Sequence, residues 1–382
     1  MKRSATPVYL VFLVMGFGDL IGPLVSLVKQ NLQTSQFEAS LLAFAGFIMF
    51  GILSIPVGVL QANVGKKPIA FGGLFLVLAG VTTPLIGLES FAGYLTAVLL
   101  LGAGVTVLQV AGGPLLQEVS PAGSFARKLT FGQFIKGIGT LSAPLIPILA
   151  YRYFDNRWQL VFPIFAAGTV AAIIAMFFHS SKVETQNAAT LRACFALLRD
   201  TRIALLVLAI FVYVGAEVCM SSMLPAILEK QYGYRLADFG MAGTGIFFLT
   251  LMAGRFLGTL VLTRLRPANF FLLSCILALV GLSLLATGSG SLGFVAAALI
   301  GIGFANLFPL VYAIAIEALP EKANEVSGLM VTAICGGAII PPVMGYMSER
   351  TSLIVALVVP AACLLYLTGI ALAERNPHAS QL

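Results

Sequence analysis

Long apolar runs separated by short polar intervals set the pattern of this chain. They predict helices near 7–29, 38–61, 67–88, 92–118, 125–151 and 157–179, then 202–229, 237–262, 268–287, 291–319, 322–348 and 350–373. Each run holds the roughly 20 apolar residues needed to cross a hydrocarbon core, and the twelve leave no room for a separate soluble domain. One interior polar interval is long, Ser180–Thr201, and it divides the twelve six and six. Its second half, TLRACFALLRD, sets Leu191, Cys194, Phe195 and Leu198 on one face. That spacing predicts an amphipathic helix lying on the inner leaflet. The expected organisation is an all-α membrane protein with an N-terminal six-helix bundle (1–179), a cytoplasmic linker (180–201) and a C-terminal six-helix bundle (202–382).

Composition narrows the class. The chain is 59% hydrophobic and 10% charged, with mean hydropathy +1.01, against about 25% charged residues in ordinary soluble domains. The net charge of +7 is spread through short loops, so it reports topology and not a nucleic-acid partner. With the N-terminus cytoplasmic, inner segments hold 14 Lys and Arg and outer segments 6, which places both termini in the cytoplasm, as in a bacterial inner membrane. Lys136 and Arg255 are left inside spans. The five cysteines show no CxxC or Cys/His spacing, and His179 and His378 are expected to be solvated, so neither a metal site nor a disulfide framework is expected. MKRSATP could open a signal peptide, but the apolar run behind it is too long and contains Asp19, which makes it the first span. Trp158 is expected at the outer interface. The partners implied are the lipid bilayer and a small solute, with the chain a monomer.

Asp19 draws attention first. A carboxylate mid-span costs at least about 2.5–3.5 kcal/mol and is tolerated where it faces a polar cavity or a partner. Gly16, Gly18, Gly22 and Pro23 around it let helices approach and let this one bend. At about 1.5 Å of rise per residue, Asp19 lies roughly 18 Å from the inner side, Lys136 roughly 17 Å and Gln109 roughly 14 Å. Gln133 and Lys136, three apart, share a face. In the second half Glu217 lies roughly 22 Å deep and Asn306 roughly 20 Å, with Phe308, Pro309 and Tyr312 beside Asn306. Simpler roles stand beside these. Asp19 and Lys136 could form a structural pair, Glu217 could bond Ser221, Gln109 and Asn306 could tie helices together, and Arg255 could snorkel to the cytoplasmic side.

The halves echo one another. Gly58-VLQANVGKKP follows helix 2 and Gly258-TLVLTRLRP follows helix 8, each a glycine and then a basic loop closed by proline. A 6+6 repeat of this kind is the arrangement of major facilitator transporters, whose substrate site lies at the midplane. More closely, GFGDLIGPLVSLVKQN with FEASLLAFAGFIMFGILSIPVG, FGQFIKGIGTLSAPLIP, YVGAEV (Tyr213–Val218), AGRFLG (Ala253–Gly258), FPLVYAIAIEAL and SGLMVTAICGGAIIPPVMGYMSE resemble the fucose–galactose–hexose:proton symporters of that superfamily.

The resemblance implies alternating-access transport of a small polar solute, a monosaccharide, coupled to a proton or in some relatives to sodium, with no other cofactor. It places the family's helix 1 carboxylate at Asp19, its helix 5 glutamine at Gln133 and the helix 7 acid of the hexose branch at Glu217. Together with the polar residues at matching depth, the expected proton-coupling groups are Asp19, Lys136 and Glu217, and the expected substrate contacts are these three with Gln109, Gln133, Asn306, Phe308 and Tyr312. Two departures matter. The helix 4 glutamate of fucose-type members is Gln109 here, which cannot titrate, and their helix 5 asparagine is Lys136. The loop after helix 2 has Ala62 and Asn63 in place of the usual Asp and Arg. A fixed cation at Lys136 opens an alternative, an anionic solute such as a sugar acid or organic acid. GIGTLSAPLIP on helix 5 loosely resembles an antiporter motif, which gives a second alternative, a proton-coupled drug or metabolite exporter. An enzyme is not expected. Gly16-Phe17-Gly18-Asp19 matches the GxGD pattern of intramembrane aspartyl proteases, but that chemistry needs a second aspartate, and Asp155, Asp200 and Asp238 lie in loops or at helix edges.

Overall fold

Each of the twelve apolar runs forms helix over its described residues. In this computed structural model the described residues are all except 1–3, 23, 25–27, 29–31, 34–35, 88–89, 155–156, 180–189, 234–243, 289–291 and 376–382. The helices are α1 (Thr6–Gly16), α2 (Gln36–Val64), α3 (Lys66–Thr82), α4 (Phe91–Glu118), α5 (Phe125–Tyr153) and α6 (Val161–Phe177), then α7 (Thr201–Tyr232), α8 (Thr244–Val261) and α9 (Pro267–Thr287). Helix α10 is split into Leu292–Phe304 and Leu307–Ala318, α11 into Ala323–Thr332 and Gly336–Arg350, and α12 into Leu353–Ala356 and Val358–Arg375. Nine helices among the described residues are long and apolar enough to cross a bilayer. The other three are α1 and α8, whose described apolar parts are shorter, and α5, whose 29 residues include Lys136 and several glycines. Lys2, Arg3, Lys29, Lys182 and Arg235 of the charge count, Pro23, Asp155, Asp238, His378 and the first half of the 180–201 interval lie outside the described residues.

The chain divides into two compact units that do not follow sequence order throughout. One holds 1–125, 135–197 and 319–332; the other holds 126–134, 198–318 and 333–382. In the first, α4 packs on α2 and α3, α6 packs on α1 and α3, and Ala323–Thr332 of α11 packs on α2. In the second, α7 packs on the second part of α11 and on α12, and α9 packs on α10 and α12. The apolar side chains left outside, such as Phe44, Phe177 and Leu365, are those a lipid environment accommodates at no cost.

Glycines let backbones cross closely at several points in each unit, and two of these crossings bear on the mid-span carboxylates. In the first, α1 meets α5 where a side chain on Gly16 would run into the Lys136 carbonyl and one on Gly139 into the Leu13 carbonyl. In the second, α7 meets α11 where a side chain on Gly336 would run into the Phe211 carbonyl. Small residues at such contacts let helices approach within reach of weak packing forces, which drive association where lipid removes the hydrophobic term.

Neutral hydrogen bonds help to seat the segment 319–332, which also carries the buried Glu325, in the first unit. Gln61 Nε2 donates to Asn324 Oδ1 (2.9 Å), Ser327 Oγ donates to the Val110 carbonyl (2.7 Å), and Gly58 lies against Gly328. Gln61 sits next to Ala62 and Asn63, so a neutral amide pair stands where the family's usual loop offers Asp and Arg. Lys67 in the same loop donates to the Phe177 carbonyl at the end of α6 (2.9 Å) and to that of His179, cations being favoured at helix C-termini.

Trp158, on the turn that leads into α6, is buried between Tyr94 and Phe162, with ring centroids 6.2 and 5.9 Å away. Two expectations change. His179 is buried and not solvated. The linker helix is short (Leu191–Ala196), capped by Thr190 on Ala193 N. It turns Cys194 and Leu197 inward and leaves Leu191, Phe195 and Leu198 exposed, so Cys194 does not share their apolar face.

Gly139→Val and Gly16→Val should each cost at least about 3 kcal/mol, the upper range for overpacking, because the obstacle is backbone. Gly72→Ala, at an exposed helical glycine with nothing within 4 Å, should be neutral or stabilising. Thermal unfolding of the purified protein in detergent checks this, and equal losses in all three variants would refute the crossing argument.

Candidate functional site

Polar side chains gather where helices break. Helix α1 tightens into a 3₁₀ turn at Phe17–Leu20, and Asp19 lies exposed on that turn. Such tightening inside a helix frequently marks a functional position. The glycine crossing brings α1 so near α5 that a short carboxylate reaches across. Thr140 Oγ1 donates to Asp19 Oδ2 (2.5 Å), and its hydroxyl also lies 3.2 Å from the Lys136 carbonyl. One turn earlier on α5, Lys136 Nζ donates to Gln109 Oε1 of α4 (3.2 Å). Gln109 is buried, while Lys136 is half-buried. The first unit therefore brings together Asp19, Gln109 and Lys136, with Thr140 as the added member.

In the second unit the carboxylate is Glu217 on α7. Its Oε1 lies 3.7 Å from Arg255 Nη2 on α8, with the two side chains 20% and 11% exposed. Arg255 therefore does not snorkel. Its Nε donates to the Ala305 carbonyl (3.3 Å) and its Nη1 to the Gln133 carbonyl (3.4 Å). The buried Tyr213 hydroxyl lies beside both charges without a well-formed hydrogen bond to either.

Ala305 and Asn306 form the break in α10. Pro309 has no N–H, so the Ala305 carbonyl loses the partner an α-helix would give it four residues on, and Arg255 supplies a replacement donor. Asn306 fastens the same break: its Nδ2 donates to the Gly254 carbonyl (2.9 Å), and the absence of a side chain at Gly258 leaves room for its amide. Phe308 and Tyr312 are buried and stacked, centroids 5.7 Å apart, with Tyr213 6.3 Å from Phe308. The Gln133 side chain is buried and its Nε2 has no hydrogen-bond partner among the described residues. Gln133 belongs to the second unit and Lys136 to the first, although they are one helical turn apart. The surface grooves along Ile276–Thr287 and between Ile227 and Ser352 include none of these residues.

Thr140, Tyr213 and Arg255 were not among the expected site residues. Thr140 had a signal, since it stands four residues from Lys136 on the same face. Arg255 had one too, as a cation inside a span.

A family profile described as Major Facilitator Superfamily matches residues 8–342. The chain belongs to this superfamily. Its members are transporters, so the protein is a multi-pass membrane transporter and the protease-like GxGD match is fortuitous. It is 26% identical over 379 residues to a glucose/galactose transporter of Brucella abortus (strain 9-941), covering 95% of this chain and 92% of that one. It is 25% identical over 376 residues to the L-fucose-proton symporter of Escherichia coli (strain K12), covering 88% and 84%. The solved structure of the E. coli fucose:proton symporter FucP matches with a TM-score of 0.83 at 21% identity, covering 96% of this chain and 97% of that one. That likeness concerns the twelve-helix major facilitator fold.

Removing one member of a largely desolvated ion pair strands the other. Glu217→Leu and Arg255→Leu should each destabilise by about 1–3 kcal/mol, given their partial exposure. The double variant should lose less than the sum of the two. A double-mutant cycle on thermal unfolding measures the coupling, and strictly additive losses would mean that the 3.7 Å contact carries no energy.

Proposed function

We propose that this facilitator moves a monosaccharide inward across a bacterial inner membrane, as a monomer driven by the proton gradient. The observation that carries the reading is Asp19. Its carboxylate is exposed at a helix break and held by a hydroxyl. Thr140 can donate to the ionised acid and accept from the protonated one, so Asp19 can exchange a proton without losing its partner. Glu217, against a guanidinium, has a partner that fits the ionised form alone. Asp19 is therefore the proton-exchanging group, and Lys136 and Glu217 are the charged groups whose partners change during the cycle.

A sugar presents hydroxyls that both donate and accept. The first unit offers Asp19 and Gln109 as acceptors and Lys136 as donor. The second offers the Gln133 and Asn306 amides, Glu217, and the Phe308–Tyr312 pair as an apolar platform. We propose these as substrate contacts within bundles 1–179 and 202–382 joined by 180–201, both termini cytoplasmic. The relatives named for glucose, galactose and fucose support a sugar over an anionic solute on Lys136 and over drug export.

In proteoliposomes, an inward-directed proton gradient should drive uptake of a neutral hexose or fucose. Asp19→Asn should abolish accumulation while leaving exchange of labelled for unlabelled sugar. Thr140→Val should weaken apparent affinity by roughly 10–100-fold, the worth of a hydrogen bond to a charged group, and Thr140→Ser should restore it. Transport of carboxylates alone, lost in Lys136→Asn, would overturn the sugar reading. Drive by sodium at constant pH would overturn the proton.

A further inference from the structure

Residues 126–134 belong to the second unit although the rest of α5 belongs to the first. Two adjacent residues of α8 contribute to their seat there. Phe134 packs on Phe256 with ring centroids 5.3 Å apart, and the Gln133 carbonyl accepts from Arg255. The seat is poorly satisfied. Thr130 Oγ1 and Gln133 Nε2 are both buried without a hydrogen-bond partner among the described residues, and an unpaired buried polar group costs about 1–3 kcal/mol. Leaving the seat relieves that cost, and what holds the segment in place against it includes Arg255.

The guanidinium is held in turn. It is always charged, and its planar fork fixes the directions of its donors. One arm faces Glu217, while Nε and Nη1 reach the Ala305 and Gln133 carbonyls at 3.3 and 3.4 Å, both long bonds. Carbonyls alone balance a desolvated cation poorly, so the carboxylate decides where the guanidinium stays. The titratable groups beside Glu217 include Tyr213, one turn earlier on α7, and Arg255 itself.

We propose that Arg255 is a positioning residue that ties the negative charge on Glu217 to the seating of residues 126–134, so that loss of this charge unseats the inner segment of α5. This deepens the transport reading by naming the link between a charged group and a moving segment. It does not depend on which solute is carried. In alternating access helix segments must change partners, and a seat with two unpaired polar groups and a charge-dependent clamp is suited to be released.

The test reads accessibility and not transport. Thr130→Cys is introduced into a variant lacking the five native cysteines, reconstituted in proteoliposomes, and labelled with a membrane-permeant maleimide. Labelling should be slow in this background, at least about tenfold faster with Glu217→Gln, and near the background rate with Glu217→Asp, which keeps the charge. Arg255→Lys, a point donor that cannot span three acceptors, should label faster than the background. Background-rate labelling in Glu217→Gln, or equal acceleration in Glu217→Asp, would overturn the proposal and leave Arg255 as structural glue. Melting temperature of each variant separates unseating from unfolding: acceleration in proportion to lost stability also overturns it. Failure of sugar uptake in the unsubstituted protein would sink the substrate reading and leave this result standing.

Discussion

The glycine crossings are the constraint on which the rest depends. Two helices in lipid gain little by burying apolar side chains against each other, so the contacts that fix a bundle are those where backbones touch. Here Gly139 lies against the Leu13 carbonyl and Gly336 against the Phe211 carbonyl. The positions of the acids derive from these contacts. Asp19 stands six residues beyond Leu13, and Glu217 stands six beyond Phe211. The two carboxylates thus occupy the same position relative to their unit's crossing, which makes them repeats of one site.

The residue after each crossing glycine sets the two sites apart. Thr140 comes after Gly139, and its hydroxyl meets Asp19. Gly337 comes after Gly336 and has no side chain to offer, so the second carboxylate takes its partner from α8 instead. One acid has a neutral partner that accommodates both protonation states, and the other faces a permanent cation. An internal repeat with one substituted position is enough to give two equivalently placed carboxylates different partners, a hydroxyl and a guanidinium.

Much of this was legible in the sequence because the bilayer imposes a strong pattern. Apolar length gave the twelve helices and positive loops their expected sidedness, and the cost of a mid-span charge singled out Asp19, Lys136 and Glu217. The pattern carried no information about breaks. Helix 10 reads as one apolar run, and only Pro309 hints that the Ala305 carbonyl is orphaned. Nor could depth along a helix reveal that Gln133 and Lys136, one turn apart, belong to different units, since that is a matter of which neighbours each end of α5 meets. His179 was assigned to solvent by residue type, and burial at the end of α6, where Lys67 takes its carbonyl, overrode it. Arg255 was misread for the same reason: a long cationic side chain snorkels when water is the best acceptor within reach, and here a carboxylate and two carbonyls are nearer.

The break in α10 shows why Arg255 sits where it does. A proline inside a membrane helix leaves one carbonyl without a donor, and no water is at hand in hydrocarbon to replace it. A neutral donor would satisfy that carbonyl and do nothing else. A guanidinium satisfies it with one N–H and still has donors for Glu217 and for the Gln133 carbonyl, which places the helix break, the acid and the end of α5 on a single planar group. Because that group is planar, its three contacts are geometrically linked. Weak bonds shared on one group allow a small change at a carboxylate to become movement of a helix segment, whereas a well-satisfied seat would hold the segment whatever the charge. The long 3.3 and 3.4 Å bonds and the unpaired Thr130 and Gln133 groups are therefore consistent with a part that has to move.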